Sequence, residues 1–113
     1  MLPVMNTGWQ LVRRAPVILA LVAFSAAAET VTVEIQNYTY IPAEVNIRPG
    51  DAVRWINREK RTSHSILFPA EGGLESDRIF PDETWQRSFP RAGRYPYTCG
   101  PHPEMKGLVV VSE

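Results

Sequence analysis

The sequence predicts an all-β domain of seven or eight short strands, packed as an antiparallel sandwich or barrel, behind an N-terminal export signal. Apolar and polar residues alternate with a period of two along much of the chain, which is typical of half-buried strands. Turns rich in Gly and Pro separate these stretches, and no segment shows the period of an amphipathic helix. With 113 residues, 12 basic and 12 acidic side chains, the chain fits one domain and does not indicate nucleic acid binding.

The first 28 residues predict a secretory signal peptide. Arg13 and Arg14 precede an uncharged apolar run, residues 15–28, which ends in small residues suited to cleavage after Ala28. The alternative is a membrane anchor, but this run is shorter than the roughly 20 residues that a transmembrane helix needs. The pair of arginines also leaves twin-arginine export open. We expect a periplasmic mature domain of residues 29–113, whose formal charge is (12 − 2) − 12 = −2 after both arginines are lost.

The first half of this domain predicts three strands joined by turns. Residues 30–35 alternate β-branched and polar side chains, and residues 37–42 form an aromatic turn. Residues 44–48 alternate again, and the Pro-Gly-Asp sequence at 49–51 favours a tight turn because Pro fixes φ and Gly accepts a positive φ. Residues 52–57 are the next predicted strand.

The second half predicts four more strands around one long loop. Residues 63–68, including His64, form a short predicted strand. Residues 69–83 predict a surface loop with one helical turn near 74–78. Residues 84–89 and 94–99 alternate as strands, and the continuous apolar run at 108–111 predicts a closing strand that is buried on both faces.

Four residues in this domain predict a copper site. Cys99, His102 and Met105 lie within seven residues, and His64 lies 35 residues upstream. Two imidazoles, one thiolate and one weak thioether are the ligand set of electron-transfer copper sites, with Met as the long axial ligand. The mature domain contains one Cys, two His and one Met, because the other two methionines belong to the signal peptide. Every soft or imidazole ligand therefore belongs to this group.

Other interpretations explain these residues less well. A lone Cys is usually a buried apolar residue, and Met105 could simply pack in the core. Zinc sites prefer more thiolates or a closed Cys and His set, and Met is not a usual zinc ligand. An oxidase with several coppers would need further histidines, and Ser63 and Ser65 flank His64 on a strand, so they point away from its face. We therefore expect no enzyme activity; a copper-delivery module without a redox partner stays the alternative function.

The same residues resemble the cupredoxin family, and the Cys-x-x-His-Pro-x-Met loop at 99–105 is of the amicyanin type, two residues shorter between His and Met than in plastocyanins. Further matches are Pro49-Gly50-Asp51, the sequence WINRE at 55–59 and the alternating Gly, Tyr, Tyr and Cys at 93–99. The resemblance implies an eight-stranded Greek-key sandwich with one type 1 copper. It also implies that the protein is a monomer and that electrons pass through the exposed edge of His102. The expected partners are a dehydrogenase, a c-type cytochrome or both, which would bind transiently.

Two departures from the family pattern carry expectations of their own. The family commonly has Asn after the first His ligand, bonded to a Ser or Thr that follows the Cys. Ser65 and Gly100 occupy those positions, so the tie between the two ligand loops is either missing or rebuilt, and copper lability and potential should change. Charged Lys60, Arg61 and Glu104 lie where the family presents apolar residues. These charges are either ordinary solvated loop residues or part of a surface that attracts a partner by charge as well as by apolar contact.

Overall fold

The computed structural model describes Pro16 and residues 27–113, so the predicted signal peptide lies almost wholly outside the described residues. In the described part of the chain, no helix is long and apolar enough to cross a bilayer. That part contains a single 3-10 turn, Pro69–Glu71, and nine strands: β1 Thr30–Gln36, β2 Thr39–Ile41, β3 Glu44–Ile47, β4 Ala52–Asn57, β5 Leu67–Phe68, β6 Leu74–Glu75, β7 Thr84–Ser88, β8 Gly93–Thr98 and β9 Lys106–Val111.

The strands form two sheets, which confirms the predicted all-β sandwich. One sheet has the order β2-β1-β4-β7 and the other β3-β9-β8-β5-β6. The predicted antiparallel pairing was wrong for two pairs of strands, because β1 pairs with β4 and β3 with β9 in parallel. The chain repeatedly crosses from one sheet to the other, so a returning strand can lie beside an earlier one in the same direction. Strand periodicity alone does not contain this information.

The segment around the first histidine differs from its predicted form. His64 lies outside β5, in an isolated antiparallel bridge in which its N–H donates to Ile79 O at 3.1 Å and its carbonyl accepts from Ile79 N at 2.8 Å. The helical turn predicted at residues 74–78 is wrong. Gly72 and Gly73 take positive φ angles of 66° and 79°, which reverse the chain so that β6 pairs with β5.

The inward faces of the two sheets form one apolar core. Its largest side chains include Trp55, Phe68 and Tyr97, all at most 1% exposed, and the Trp55 and Tyr97 rings meet edge to face at 5.4 Å. Burying each such side chain contributes about 1.5–3 kcal/mol. In β9, Val109 and Val111 face inward and their neighbours are only half-buried, so the expectation of burial on both faces was wrong. Cys99 and Met105 belong to the same core cluster, which makes one end of the core the floor of the predicted site.

Candidate metal centre

The fold brings three of the four predicted residues together at one end of the sandwich. Cys99 follows β8 directly, His102 lies in the loop between β8 and β9, and His64 lies in the connection from β4 to β5. Cys99 Sγ is 3.7 Å from His64 Nδ1 and 3.5 Å from His102 Nδ1. The three donor atoms all lie within 4.8 Å of one another. A triangle of this size leaves about 2.1–2.4 Å from each corner to a common centre, the usual length of bonds from a metal to imidazole or thiolate.

Two successive backbone hydrogen bonds shape the loop of residues 99–105, which carries three of the four predicted ligands. His102 N donates to Cys99 O at 3.2 Å, and Met105 N donates to His102 O at 2.9 Å. Two turns in succession thus shape the segment from Cys99 to Met105. Met105 is 3% exposed and packs in the core cluster together with Cys99.

The two imidazoles differ in their exposure to solvent. His64 is fully buried, whereas His102 is half-buried and lies between the exposed residues Pro101 and Pro103. Burial, followed by the neighbouring His102, lowers the pKa of His64. A lowered pKa keeps this imidazole neutral at neutral pH, and the neutral form is the one that binds metals. The His102 edge is therefore the more accessible side of the site.

A partly buried carboxylate, that of Glu59, lies behind His64. His64 Nδ1 faces the cysteine, and its other ring nitrogen, Nε2, has no hydrogen-bond partner among the described residues but lies 3.8 Å from Glu59 Oε1. The same Oε1 accepts a hydrogen bond from Tyr38 N at 2.7 Å. A carboxylate opposite the free nitrogen of a metal-binding histidine fixes the tautomer and the ring orientation. In the sequence, Glu59 was only part of the matching run WINRE at 55–59, and its position behind His64 was not predicted.

Tyr38 covers both imidazoles. Its ring contacts His102 edge to face with centroids 4.9 Å apart, and contacts His64 in the same way at 5.6 Å. Its hydroxyl shares a 3.2 Å hydrogen bond with Thr62 Oγ1, although the side chain is 48% exposed. The sequence placed Tyr38 in an aromatic turn far from the ligands, and only the tertiary fold brings it to the site.

Asn57 holds the loop that leads to the first histidine. This buried side chain donates from Nδ2 to Thr62 O at 2.7 Å and to Ile79 O at 2.9 Å, and its Oδ1 accepts from Glu59 N. Both amide hydrogens and the carbonyl oxygen are thereby satisfied, as a buried amide requires. The loop that carries Glu59 is thus fixed at both ends by one side chain.

The tie between the two ligand loops is present in a rebuilt form. Gly100 N donates to Ser65 Oγ at 2.9 Å, and Ser65 N donates to Cys99 Sγ at 3.4 Å. The buried Tyr40 also holds Ser65, because its hydroxyl donates a hydrogen bond to Ser65 O at 2.7 Å. Burial raises the pKa of Tyr40. The backbone amide of Gly100 thus replaces the side chain that the family commonly has after the cysteine.

Comparison with known proteins places this geometry in a family. Residues 27–112 match the model of the copper binding proteins of the plastocyanin/azurin family. The chain belongs to this family of cupredoxins. It is 37% identical over 94 residues to amicyanin from Paracoccus denitrificans, covering 76% of this chain and 71% of that protein. It is 38% identical over 90 residues to amicyanin-alpha from Methylorubrum extorquens, covering 76% and 75%.

Solved cupredoxin structures agree with this assignment. An oxidized amicyanin mutant superposes with a TM-score of 0.69 at 35% identity, covering 73% of this chain and 81% of that one. A reduced amicyanin mutant gives a TM-score of 0.70 at 34% identity, covering 78% and 85%. This protein is therefore an amicyanin-like, electron-transfer cupredoxin. Its cofactor is one copper ion, and the donor set of one thiol and two imidazoles suits that metal.

Proposed function

We propose that this chain is a periplasmic carrier of single electrons, with His64, Cys99, His102 and Met105 as the ligands of its copper. The observation that carries the proposal is the convergence of two imidazole Nδ1 atoms on the buried Cys99 Sγ, at 3.7 and 3.5 Å. Bound copper supplies a one-electron couple between its two oxidation states. We also propose that residues 1–28 are a cleaved signal peptide and that residues 29–113 are the exported domain.

The ligand residues are suited to hold one geometry in both oxidation states. Thiolate and thioether favour the reduced ion, while imidazole suits either, so the mixed set stabilises both. Cys99 and His102 are tied by a backbone turn, and His64 is tied to Ile79 by two backbone hydrogen bonds. With both elements fixed, little rearrangement accompanies electron transfer. Met105, buried in the same core cluster as Cys99, is proposed as the weak axial ligand.

We assign the His102 edge as the route by which electrons enter and leave. His64 and Cys99 are fully buried, whereas His102 is half-buried. A partner that contacts this edge would approach the site more closely than a partner docked elsewhere on the sandwich. The protein itself then carries out no bond chemistry, and we propose that it is not an enzyme.

The proposed partners are redox proteins, a dehydrogenase, a c-type cytochrome or both, that bind this monomer transiently. Lys60, Arg61 and Glu104 are exposed in the loops that carry the ligands. Charge at a docking surface increases the rate of encounter and makes that rate depend on salt. Stopped-flow electron transfer should therefore change with ionic strength; a rate that is indifferent to salt would exclude docking by charge.

Absorption spectroscopy tests the copper assignment. Adding Cu(II) to the mature protein should give an intense band near about 600 nm, which arises from charge transfer from the Cys thiolate in trigonal His₂Cys copper sites. The variant Cys99→Ser should lose the band. A colourless wild-type complex, or a band that survives in the variant, would overturn the proposal.

Copper retention separates a carrier from a delivery module. A carrier should keep its copper through repeated cycles of oxidation and reduction, because both forms fit one ligand set. Size-exclusion chromatography after such cycles, in the presence of a metal-free acceptor protein, measures the copper that remains. Transfer of most of the copper to the acceptor would favour the delivery function.

A further inference from the structure

A side chain outside the ligand loops completes the tie between them. Ser65 Oγ donates a 2.7 Å hydrogen bond to Glu75 Oε2, and the same oxygen accepts the 2.9 Å bond from Gly100 N. A serine hydroxyl has one hydrogen, and an ionised carboxylate can only accept. Since the hydrogen points to Glu75, a lone pair of Ser65 Oγ is left facing the Gly100 amide. The carboxylate therefore sets the direction of the hydroxyl.

The fold fixes Glu75 in this place. Glu75 is the last residue of β6 and is paired with Leu67 of β5, which in turn pairs with Thr98 immediately before Cys99. The following residue, Ser76, is locked to Ile66 by two hydrogen bonds: Ser76 N donates to Ile66 O, and Ile66 N donates to Ser76 Oγ, both at 2.9 Å. The backbone is thus held on both sides of the carboxylate.

The absence of a side chain at Gly100 belongs to the same arrangement. A Cβ atom at this position would collide with the Glu75 carboxylate and would lie 2.9 Å from Ser65 Oγ. Any larger residue would therefore expel Glu75 from its contact with Ser65. Gly100 keeps the space that the carboxylate occupies.

We propose that Glu75 is a positioning residue of the copper site, acting through Ser65 on the Gly100 amide and on Cys99. The inference rests on the proposed function. Ser65 N donates to Cys99 Sγ at 3.4 Å, and hydrogen bonding around the cysteine sulfur tunes the potential of such sites. A Ser65 side chain fixed by Glu75 holds this N–H against the sulfur, which lowers the electron density that the thiolate gives to the metal. Loss of this constraint lowers the reduction potential.

Two substitutions separate the hydrogen bond from the charge. Glu75→Gln removes the charge but keeps an oxygen that accepts from Ser65, whereas Glu75→Ala removes both. Because both variants are neutral at position 75, the hydrogen bond accounts for the difference between them. Voltammetry should give a lower reduction potential for the Ala than for the Gln variant. The same pair at Glu44, an exposed residue of β3, is the control and should show no difference.

A Ser65→Ala background tests the route of the effect. In that background the two Glu75 variants should have equal potentials, because the hydroxyl through which Glu75 acts is gone. A difference that persists there would overturn the proposed route. Equal potentials of the Ala and Gln variants in the wild-type background would overturn the proposal itself.

Hydrogen exchange of the Gly100 amide in metal-free protein gives a readout that does not depend on copper. The amide should exchange about 2- to 12-fold faster in Glu75→Ala than in Glu75→Gln, the factor that corresponds to a hydrogen bond of 0.5–1.5 kcal/mol. Equal exchange rates would show that Glu75 does not organise the tie. A missing absorption band in wild-type protein would instead count against the proposed function, so the two failures are distinguishable.

Discussion

Replacing Glu59 by Gln should weaken copper binding about tenfold. Glu59 is the carboxylate behind His64: its Oε1 lies 3.8 Å from His64 Nε2, and its side chain is only 14% exposed. The substitution keeps the size of the side chain and an oxygen that accepts from Tyr38 N, but removes the negative charge. The effect therefore reports the electrostatic support of His64, a proposed ligand, and not the packing of the loop.

The magnitude follows from the geometry. Hydrogen bonds to charged groups contribute about 1.5–3 kcal/mol, and since His64 Nε2 makes no direct hydrogen bond to Glu59, the loss of the charge should cost no more than the low end of that range, about 1.5 kcal/mol. Such a loss is about tenfold in a dissociation constant. The separation of 3.8 Å exceeds a direct hydrogen bond, which places the effect at the low end of the 10- to 100-fold range known for outer partners of metal ligands.

Chelator competition measures the change for both oxidation states. The Cu(II) affinity should fall more than the Cu(I) affinity, because the lost carboxylate interacts more strongly with the higher charge, and the reduction potential should rise. Glu34→Gln is the matched control, since Glu34 is a half-exposed carboxylate that pairs with Arg58 at 3.6 Å. If Glu59→Gln and Glu34→Gln bind Cu(II) equally well, Glu59 does not support His64 electrostatically.

Two further predictions concern the stability of the metal-free domain. Arg87 forms a two-pronged ion pair with Glu71 at 2.8 and 2.6 Å, and its guanidinium lies over the Phe68 ring at 4.4 Å. Arg87→Met should therefore lower the free energy of unfolding by about 2 kcal/mol and the Tm by about 8–16 °C. Arg54→Met is the control, and because Arg54 is exposed it should change the free energy of unfolding by less than about 0.5 kcal/mol. If thermal unfolding shows equal losses of stability in the two variants, the contacts of Arg87 do not stabilise the domain. The second prediction concerns Asp51, whose pKa is lowered by hydrogen bonds from the backbone N–H groups of Glu29 and Arg48. The ionised carboxylate therefore contributes to the stability of the folded domain. This contribution is complete above the pKa of the unfolded state, about 3.9, and is lost as the pH falls through the lower pKa of the folded state. The free energy of unfolding, measured with urea between neutral and acid pH, should fall in wild type and fall less in Asp51→Asn. An equally steep fall in the variant would contradict the prediction.

Much of this protein could be predicted from local patterns. Alternation of apolar and polar residues indicated the strands, because the two faces of a strand have different environments. The proposed copper ligands stood out by their chemical type, and three of them lie within a loop of seven residues where short-range turns control geometry. The copper-binding family confirmed the cofactor, and the structure brought together His64, Cys99 and His102.

The errors fall where residues distant in sequence decide the conformation. His64 was assigned to a strand, but it lies in an isolated bridge because Ile79 returns to meet it. The predicted helical turn at 74–78 is replaced by β6, because two glycines reverse the chain toward β5. A local pattern describes the faces that a segment can bury, and it does not identify the partner that it meets.

The sequence by itself determined the all-β class, the residues that are proposed as metal ligands and the absence of a side chain at Gly100. The tertiary structure alone decided what occupies the space at Gly100 and what supports the ligands from outside. Glu75 reaches Ser65 because β6 joins the edge of the second sheet, and Glu59 reaches His64 because Asn57 fixes the intervening loop. Ligand chemistry depends on the identity of individual residues and can be read from their order. The groups that orient the ligands are set by the pairing of strands, which depends on the packing of the whole chain.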